Sequence, residues 1–397
     1  MRYGKNAGKG TLSVWGGEER VFAEGTTQVP LFFGVAHAYD EVDEWIDVSL
    51  GKKAGHIYGR NTNPTVHVFE EKVRLLEGAE AATSAATGMG IISSVLFALL
   101  EPGDRIVSVK DTYGGTSVLF REFLPKQGVT AFLCDTTDHD AIEEEISRGC
   151  RLLYLETPTN PTIKIVDIER LAKAGHEAGA IVVVDNTFAT PINQNPLELG
   201  ADIVLHSATK FLGGHADVLG GVACGKADLI KKIYHYREIN GAALAPMSAY
   251  MLLRGMKTLS LRIARQNENA LTIARFLENH PAVDRVFYPG LESHPGHTIA
   301  LRQMRGFGGM MSFSLKGNSF DTVRRFLPKL RLAHKAANLG AVETIAGIPA
   351  TTSHVECTAE ERKALGIPET LIRYSVGIED VQDLIEDLRQ ALDGILP

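Results

Sequence analysis

From Val66 onward the chain alternates between two hydrophobic rhythms. VHVFEEKVRLLEG spaces its apolar residues at helical intervals and stops at Gly78, which predicts an amphipathic helix. Thr87-Gly88 then leads into MGIISSVLFALL, a largely apolar helix closed by EPGD. DRIVSVK, RLLYLE, AIVVVDN and ADIVLHS are short Val/Ile/Leu-rich runs. Such runs suit strands buried on both faces, as in a mostly parallel sheet. Helical stretches such as IERLAKAGHEAG separate them, so the chain to about Gly225 has the βαβ rhythm of an α/β domain. A long helical region from about Pro246 to Asn279 leads away from it. The remainder mixes strands (GGMMSFSLK) with helices (DVQDLIEDLRQAL) and reads as a smaller α+β unit. The expected division is a large domain over 61–250 and a small C-terminal domain over 251–397.

The first sixty residues lack strong periodicity and are punctuated by Gly and Pro. They read as an extended arm over 1–60, running into HIYGRNTNPT (His56 to Thr65). An arm of this length must pack on something, and a neighbouring subunit is the natural surface.

Length and charge narrow the class. A chain of 397 residues favours two or three packed units over one core. The net charge of -7 and pI near 6.0 leave no electrostatic footprint for nucleic acid or an anionic membrane surface. No apolar run reaches the roughly 18–20 residues that span a bilayer. The start, MRYGKNAGKGTLSVWGG, has basic residues without an apolar signal-peptide core, so a cytoplasmic location is expected. The cysteines at 134, 150, 224 and 357 form no CxxC pair and read as reduced, inert thiols. His294 and His297 are three apart, but Pro295 and Gly296 intervene, so no metal site is expected.

Three positions carry candidate chemistry. Lys210, in HSATKFLGGH, follows the apolar run ADIVL and should sit where a strand leaves the sheet, the edge at which open α/β sheets bind ligands. By itself a lysine there is more often a solvated surface charge. Asp185 ends AIVVVDN at the same kind of edge. A carboxylate so placed can pair with a protonated pyridine nitrogen and keep that ring an electron acceptor. The alternative is an aspartate that caps the turn at Asn186-Thr187. SAATGMG, Ser84 to Gly90, opens a helix whose free N–H groups suit a phosphate. It is not a Walker loop, because no lysine follows the glycines, and no GxGxxG is present.

Together these elements resemble a known family. GHIYGRNTNPT, SAATGMG, KDTYGGT, LYLETPTNPT, VVVDNTFATP, HSATKFLGGHAD and YSVGIED occur in this order, and the resemblance runs from about residue 20 to the C-terminus. They are similar to the cystathionine γ-synthase/γ-lyase, methionine γ-lyase and acyl-homoserine sulfhydrylase family of pyridoxal-phosphate enzymes. The resemblance implies the type I pyridoxal-phosphate fold, the fold of aspartate aminotransferase, with a homotetramer built as a dimer of dimers. It implies that Lys210 carries the cofactor as a Schiff base and shuttles protons. Asp185 would pair with the pyridine nitrogen, and Gly88, Met89, Ser207 and Thr209 would cradle the phosphate. Tyr58 and Arg60 would reach that phosphate from a neighbouring subunit. Tyr113 would stack on the ring and act as acid or base near the leaving group. Asn160 would lie near the cofactor's phenolic oxygen, and Arg373 would clamp the substrate α-carboxylate.

The implied reaction is γ-elimination or γ-replacement on a homoserine-derived amino acid with a heteroatom on Cγ. Relatives that handle cystathionine usually carry an acid before the tyrosine of YxR and another before the serine of E-S-L-G. Here those positions are Ile57 and Ala337, and Asn338 replaces the serine at the carboxylate-binding end. Asn338-Leu-Gly and PATTSH (Pro349 to His354) look more like acyl-homoserine sulfhydrylases. Methionine γ-lyases typically carry a cysteine where this chain has Gly115. The expected substrate is therefore a Cγ–O amino acid, such as an O-acyl-homoserine or a canavanine-type compound. Methionine or cystathionine is the alternative. A non-catalytic binding relative is the alternative of another class, disfavoured by intact Lys210, Asp185, Tyr113 and Arg373.

Overall fold

The computed structural model describes residues 7–396 apart from 20, 21, 23, 24, 318, 353–357, 359, 361 and 363–365. A seven-stranded sheet lies at its centre: β1 (Ala81–Ala85), β2 (Arg105–Val109), β3 (Thr130–Cys134), β4 (Leu152–Glu156), β5 (Ile181–Asp185), β6 (Ile203–Ser207) and β7 (Gly221–Gly225). The order is β1-β7-β6-β5-β4-β2-β3. The pairs β2·β3, β2·β4, β4·β5 and β5·β6 are parallel, and β7 is antiparallel to both β6 and β1. Four of the expected runs are thus β2, β4, β5 and β6, and the sheet is mostly parallel.

Burial on both faces explains why these strands read as continuous apolar runs. All five residues of β4 are buried. Leu152 and Tyr154 enter one core with Val183 and the apolar face of the helix Gly88–Leu99, including Ile91 and Val95. Leu153 and Leu155 enter the opposite core with Val182, Val184 and Leu171 of the helix Ile168–Glu177. Alternate side chains of one strand therefore serve two layers.

A second sheet has the order β10-β11-β12-β9-β8, from β8 (Val283–Phe287), β9 (Met310–Leu315), β10 (His334–Lys335), β11 (Ile345–Gly347) and β12 (Leu371–Ser375). It packs with the helices Leu259–Glu278 and Val381–Asp393 around Phe313, Phe326, Tyr374 and Leu388. The expected helical region from Pro246 is two helices, Pro246–Met256 and Leu259–Glu278. At their junction the Arg262 guanidinium donates to Gly255 O at 3.0 Å and Thr258 Oγ1 at 3.2 Å.

The N-terminal arm differs from the extended segment expected. Lys9–Trp15 and Val42–Ser49 are helical. Val42, Trp45 and Ile46 stand at i, i+3 and i+4, a helical pattern too short to emerge from its Gly- and Pro-rich surroundings. The first helix docks on its own chain. Lys72, fully buried, donates to Ser13 O, Val14 O and Glu18 Oε1, and Lys257 donates to both Glu18 oxygens.

Candidate active site

The C-terminal ends of β4, β5 and β6 converge on a cavity lined by residues of both sheets, among them Lys210, Asp185, Tyr113, Asn160 and Arg373. Lys210 follows β6 on a tight turn, with its N–H donating to Ser207 O at 3.2 Å. Its ammonium donates to Asn338 Oδ1 at 2.8 Å. Burial, with the Arg373 charge second, lowers the Lys210 pKa to about 8. A lysine so placed yields its neutral, nucleophilic amine far more readily than a surface one.

The contacts of Asp185 show the turn cap. Its Oδ1 accepts from Thr187 N–H at 3.0 Å and Thr187 Oγ1 at 2.6 Å. Its Oδ2 has only a long contact from the Tyr154 hydroxyl at 3.5 Å. Burial pushes the carboxyl above its ordinary range, opposed by the Thr187 hydrogen bonds that favour the anion.

The helix Gly88–Leu99 points its first turn at the same cavity, where Gly88 and Met89 are lining residues. Thr87 caps it by accepting the Gly90 N–H at 2.9 Å. The N–H groups of Gly88 and Met89 have no acceptor within the helix, as in any first turn. A Cβ on Gly88 would lie 2.8 Å from Ser207 Cβ and Oγ, so only glycine lets the helix end approach β6 this closely. Ser207 and Thr209 line the same cavity.

Arg373 on β12 is buried, and burial lowers its pKa to about 10, still cationic at neutral pH. It donates to Asn160 Oδ1 at 3.1 Å and to Asn338 O at 3.3 Å. Asn338 thus touches Lys210 with its side chain and Arg373 with its carbonyl. Tyr113 is exposed and lines the cavity rim. A Cβ on Gly115 would lie 2.8 Å from Met89 Sδ and 3.0 Å from Tyr113 Cε1, so a side chain there would displace one of them.

Three expected site residues are not among those lining the cavity of their own chain: Tyr58, Arg60 and Asn338, the last standing between the lining residues Ala337 and Leu339 in the chain and bonding Lys210 and Arg373. Tyr58 and Arg60 are exposed, and Arg60 donates instead to Glu238 O at 2.7 Å. Ser353 and His354 of PATTSH lie outside the described residues, while Thr352 lines the cavity. The sequence reading missed Glu156, Thr187 and Leu219, which also line it. Glu156 carried the same signal as Asp185, an acid ending an apolar strand. The cysteines at 134, 150 and 224 are free, with burial raising each thiol pKa. His294 Nδ1 is occupied by the Gly296 N–H of its own turn. Among the described residues no helix is long and apolar enough to cross a membrane.

A lysine with a depressed pKa, a buried carboxyl at a neighbouring strand end, and a helix N-terminus that admits no Cβ are the donors a pyridine ring with an aldehyde and a phosphate requires. The donor set fits pyridoxal phosphate, and the architecture is the type I fold of enzymes that use it. The comparisons agree. The model of the Cys/Met metabolism PLP-dependent enzyme family matches residues 10–393, and the chain belongs to that family. It is 42% identical over 394 residues to the L-methionine gamma-lyase of Fusobacterium nucleatum subsp. polymorphum, covering 98% of this chain and 99% of the relative. It is also 42% identical over 388 residues to the cystathionine gamma-lyase of Bacillus subtilis, covering 98% and 100%. The crystal structure of cystathionine gamma synthase from Xanthomonas oryzae pv. oryzae in complex with aminoacrylate and cysteine superposes with a TM-score of 0.93, at 38% identity, covering 98% of both chains. The chain is therefore a pyridoxal-phosphate-dependent enzyme of the γ-elimination and γ-replacement class, acting on amino acids. Equal identity to relatives named for different substrates leaves the choice among leaving groups to the cavity lining.

Proposed function

We propose that the chain acts on a homoserine-derived amino acid whose Cγ carries oxygen, such as an O-acyl-homoserine or a canavanine-type compound. The observation that carries this reading is the part of the cavity lining contributed by Ala337, Leu339, Thr352 and Leu219. It presents a hydroxyl and apolar carbon but no carboxylate at 337. Among these described residues a distal ammonium, as in cystathionine, would be desolvated without a charge partner, which costs several kcal/mol. The same apolar lining also suits a thioether, so methionine is the second reading.

In this proposal Gly88, Met89, Ser207 and Thr209 hold the cofactor phosphate, Asp185 holds the pyridine nitrogen, and Asn160 lies near the phenolic oxygen. Bound pyridoxal phosphate supplies an electron sink for a carbanion at substrate Cα. Arg373 binds the α-carboxylate with its planar fork and orients the Cα–H bond. Lys210 would hold the cofactor covalently, and its free amine would take the Cα proton, pass it on, and then take a proton from Cβ. Tyr113 hands a proton to the heteroatom leaving Cγ. A thiol then adds at Cγ, or water completes elimination.

Tyr58 and Arg60 are assigned to a partner's phosphate within a homotetramer of two such dimers. Their distance from their own cavity supports this, as do the exposed Phe33, Val35, Val42, Trp45, Ile46 and Leu50 of the arm. Such apolar exposure within one segment marks a surface that a partner covers. The test is a substrate panel of O-acetyl-homoserine, O-succinyl-homoserine, canavanine, methionine and cystathionine, each with and without sulfide. The highest kcat/KM is expected for a Cγ–O compound. A preference for cystathionine would overturn the proposal, and a preference for methionine would select the second reading.

A further inference from the structure

Glu156 ends β4 beside Asp185, which ends β5, and the two are partners in the parallel register. Glu156 is only 5% exposed, lines the cavity, and has no part in the steps assigned above. Its Oε2 accepts the Tyr113 peptide N–H at 2.7 Å, and the Asn160 peptide N–H lies near enough to the same carboxyl to favour its charged form. These N–H groups belong to different loops. Tyr113 sits after β2, immediately before the short helix Gly114–Val118. Asn160 sits after β4, and its side chain receives Arg373 at 3.1 Å. One buried acceptor therefore joins the loop that carries the phenol to the loop that holds the carboxylate clamp.

We propose that Glu156 is a positioning residue whose carboxyl bridges the Tyr113 and Asn160 turns, setting the tyrosine ring and the Asn160–Arg373 pair at once. The inference rests on the roles proposed for Tyr113 and Arg373. It also accounts for a carboxyl that would otherwise be an unneeded acid beside Asp185. The acids facing Glu156 are Asp185 on β5 and Asp111 after β2, the latter paired with Lys164 at 2.9 Å, and Tyr154 stands on its own strand. Burial first, and the Asp185 charge second, push the Glu156 pKa well above the carboxylate range. Two carboxylates this close cannot both ionise cheaply. Asp185, bonded twice by Thr187, is the better supported of the two as an anion, and a protonated Glu156 would still offer a carbonyl oxygen to the Tyr113 N–H. An amide offers the same oxygen.

The inference is tested with Glu156→Ala and Glu156→Gln. In cofactor-free protein, amide hydrogen exchange is measured over residues 111–116. Exchange should accelerate in Glu156→Ala and stay near wild type in Glu156→Gln. In the holoenzyme, Glu156→Ala should lose about ten- to a hundredfold in kcat/KM, as expected for a catalytic group misplaced by roughly an ångström. KM should rise along with the fall in kcat, because Arg373 loses the support of Asn160. Glu156→Gln should restore both. If Glu156→Ala does not fold, Glu156→Asp withdraws the acceptor by one methylene and replaces it in both measurements. Unchanged exchange and KM in the truncated variant would overturn the inference. So would a folded Glu156→Gln as impaired as Glu156→Ala, since charge would then matter and not the acceptor. The underlying roles fail separately, if Tyr113→Phe and Arg373→Ala leave turnover unchanged while Glu156→Ala still loosens residues 111–116.

Discussion

Lys210 shows how one side chain acquires chemistry from its surroundings. Its amine is buried and faces the Arg373 charge, and these lower its pKa to about 8. Covalent attachment of an aldehyde requires the neutral amine. In cofactor-free protein the attachment rate should therefore rise with pH and level off above about 8. An unperturbed lysine would keep gaining towards 10.5, the value from which Lys210 is displaced. Stopped-flow absorbance on mixing with pyridoxal phosphate reads the inflection, and a rate still climbing at pH 10 would contradict the depressed value. Lys210→Ala should abolish both the borohydride-reducible yellow species and turnover. Residual normal turnover would remove Lys210 from the mechanism. At this scale the sequence was informative for Lys210 and Asp185, because each ends or follows an apolar strand. Glu156 had the same signature, but the resemblance implied no role for it, and its contact with the Tyr113 N–H is what suggests a use.

At the scale of elements, two close approaches hold the site and the arm in place. The Gly88–Leu99 helix meets β6 so tightly that a methyl on Gly88 would strike Ser207. Gly88→Ala should therefore weaken cofactor binding, measured by titrating cofactor-free protein, with little change in the far-ultraviolet circular dichroism. Unaltered affinity would mean that the helix end can retreat from β6 without loss. The arm is tied differently. Glu18 is fully buried between Lys72 and Lys257, at 2.7 and 2.6 Å. Removing the carboxylate leaves the buried Lys72 ammonium without its counter-ion, so Glu18→Ala should destabilise the fold by about 3–5 kcal/mol. Chemical denaturation would measure this, and a loss below about 1 kcal/mol would mean that water replaces the carboxylate. The helix periods and strand runs were legible because one hydrophobic layer or two imprint directly on spacing. The arm helices were not, because each is short and its few apolar residues stand in Gly-rich or irregular surroundings.

The whole molecule raises the question of which chain completes the site. If Arg60 serves a partner's phosphate, its charge-assisted contact is worth about 1.5–3 kcal/mol. Losing it should weaken cofactor affinity by roughly ten- to a hundredfold. Mixing inactive Arg60→Ala with inactive Lys210→Ala chains under subunit exchange separates the possibilities. One site of a mixed dimer then combines intact Lys210 with intact Arg60, so activity should return to up to about half of that dimer's sites. Continued inactivity after demonstrated exchange would assign Arg60 to its own chain, where it already bonds Glu238 O.

The sequence by itself determined the layered α/β architecture, the strand edges bearing Lys210 and Asp185, and the family, because local periodicity and ordered motifs are properties of the chain alone. The tertiary structure alone decided which polar groups share one cavity. Asn338 meets Lys210 across 128 positions and Arg373 meets Asn160 across 213, and no spacing rule encodes contacts made when two separate sheets close on each other. It also decided their charge states. Burial in the folded state, absent from the linear chain, lowers the Lys210 pKa with help from the Arg373 charge, raises that of Asp185, and raises that of Glu156 with help from the Asp185 charge.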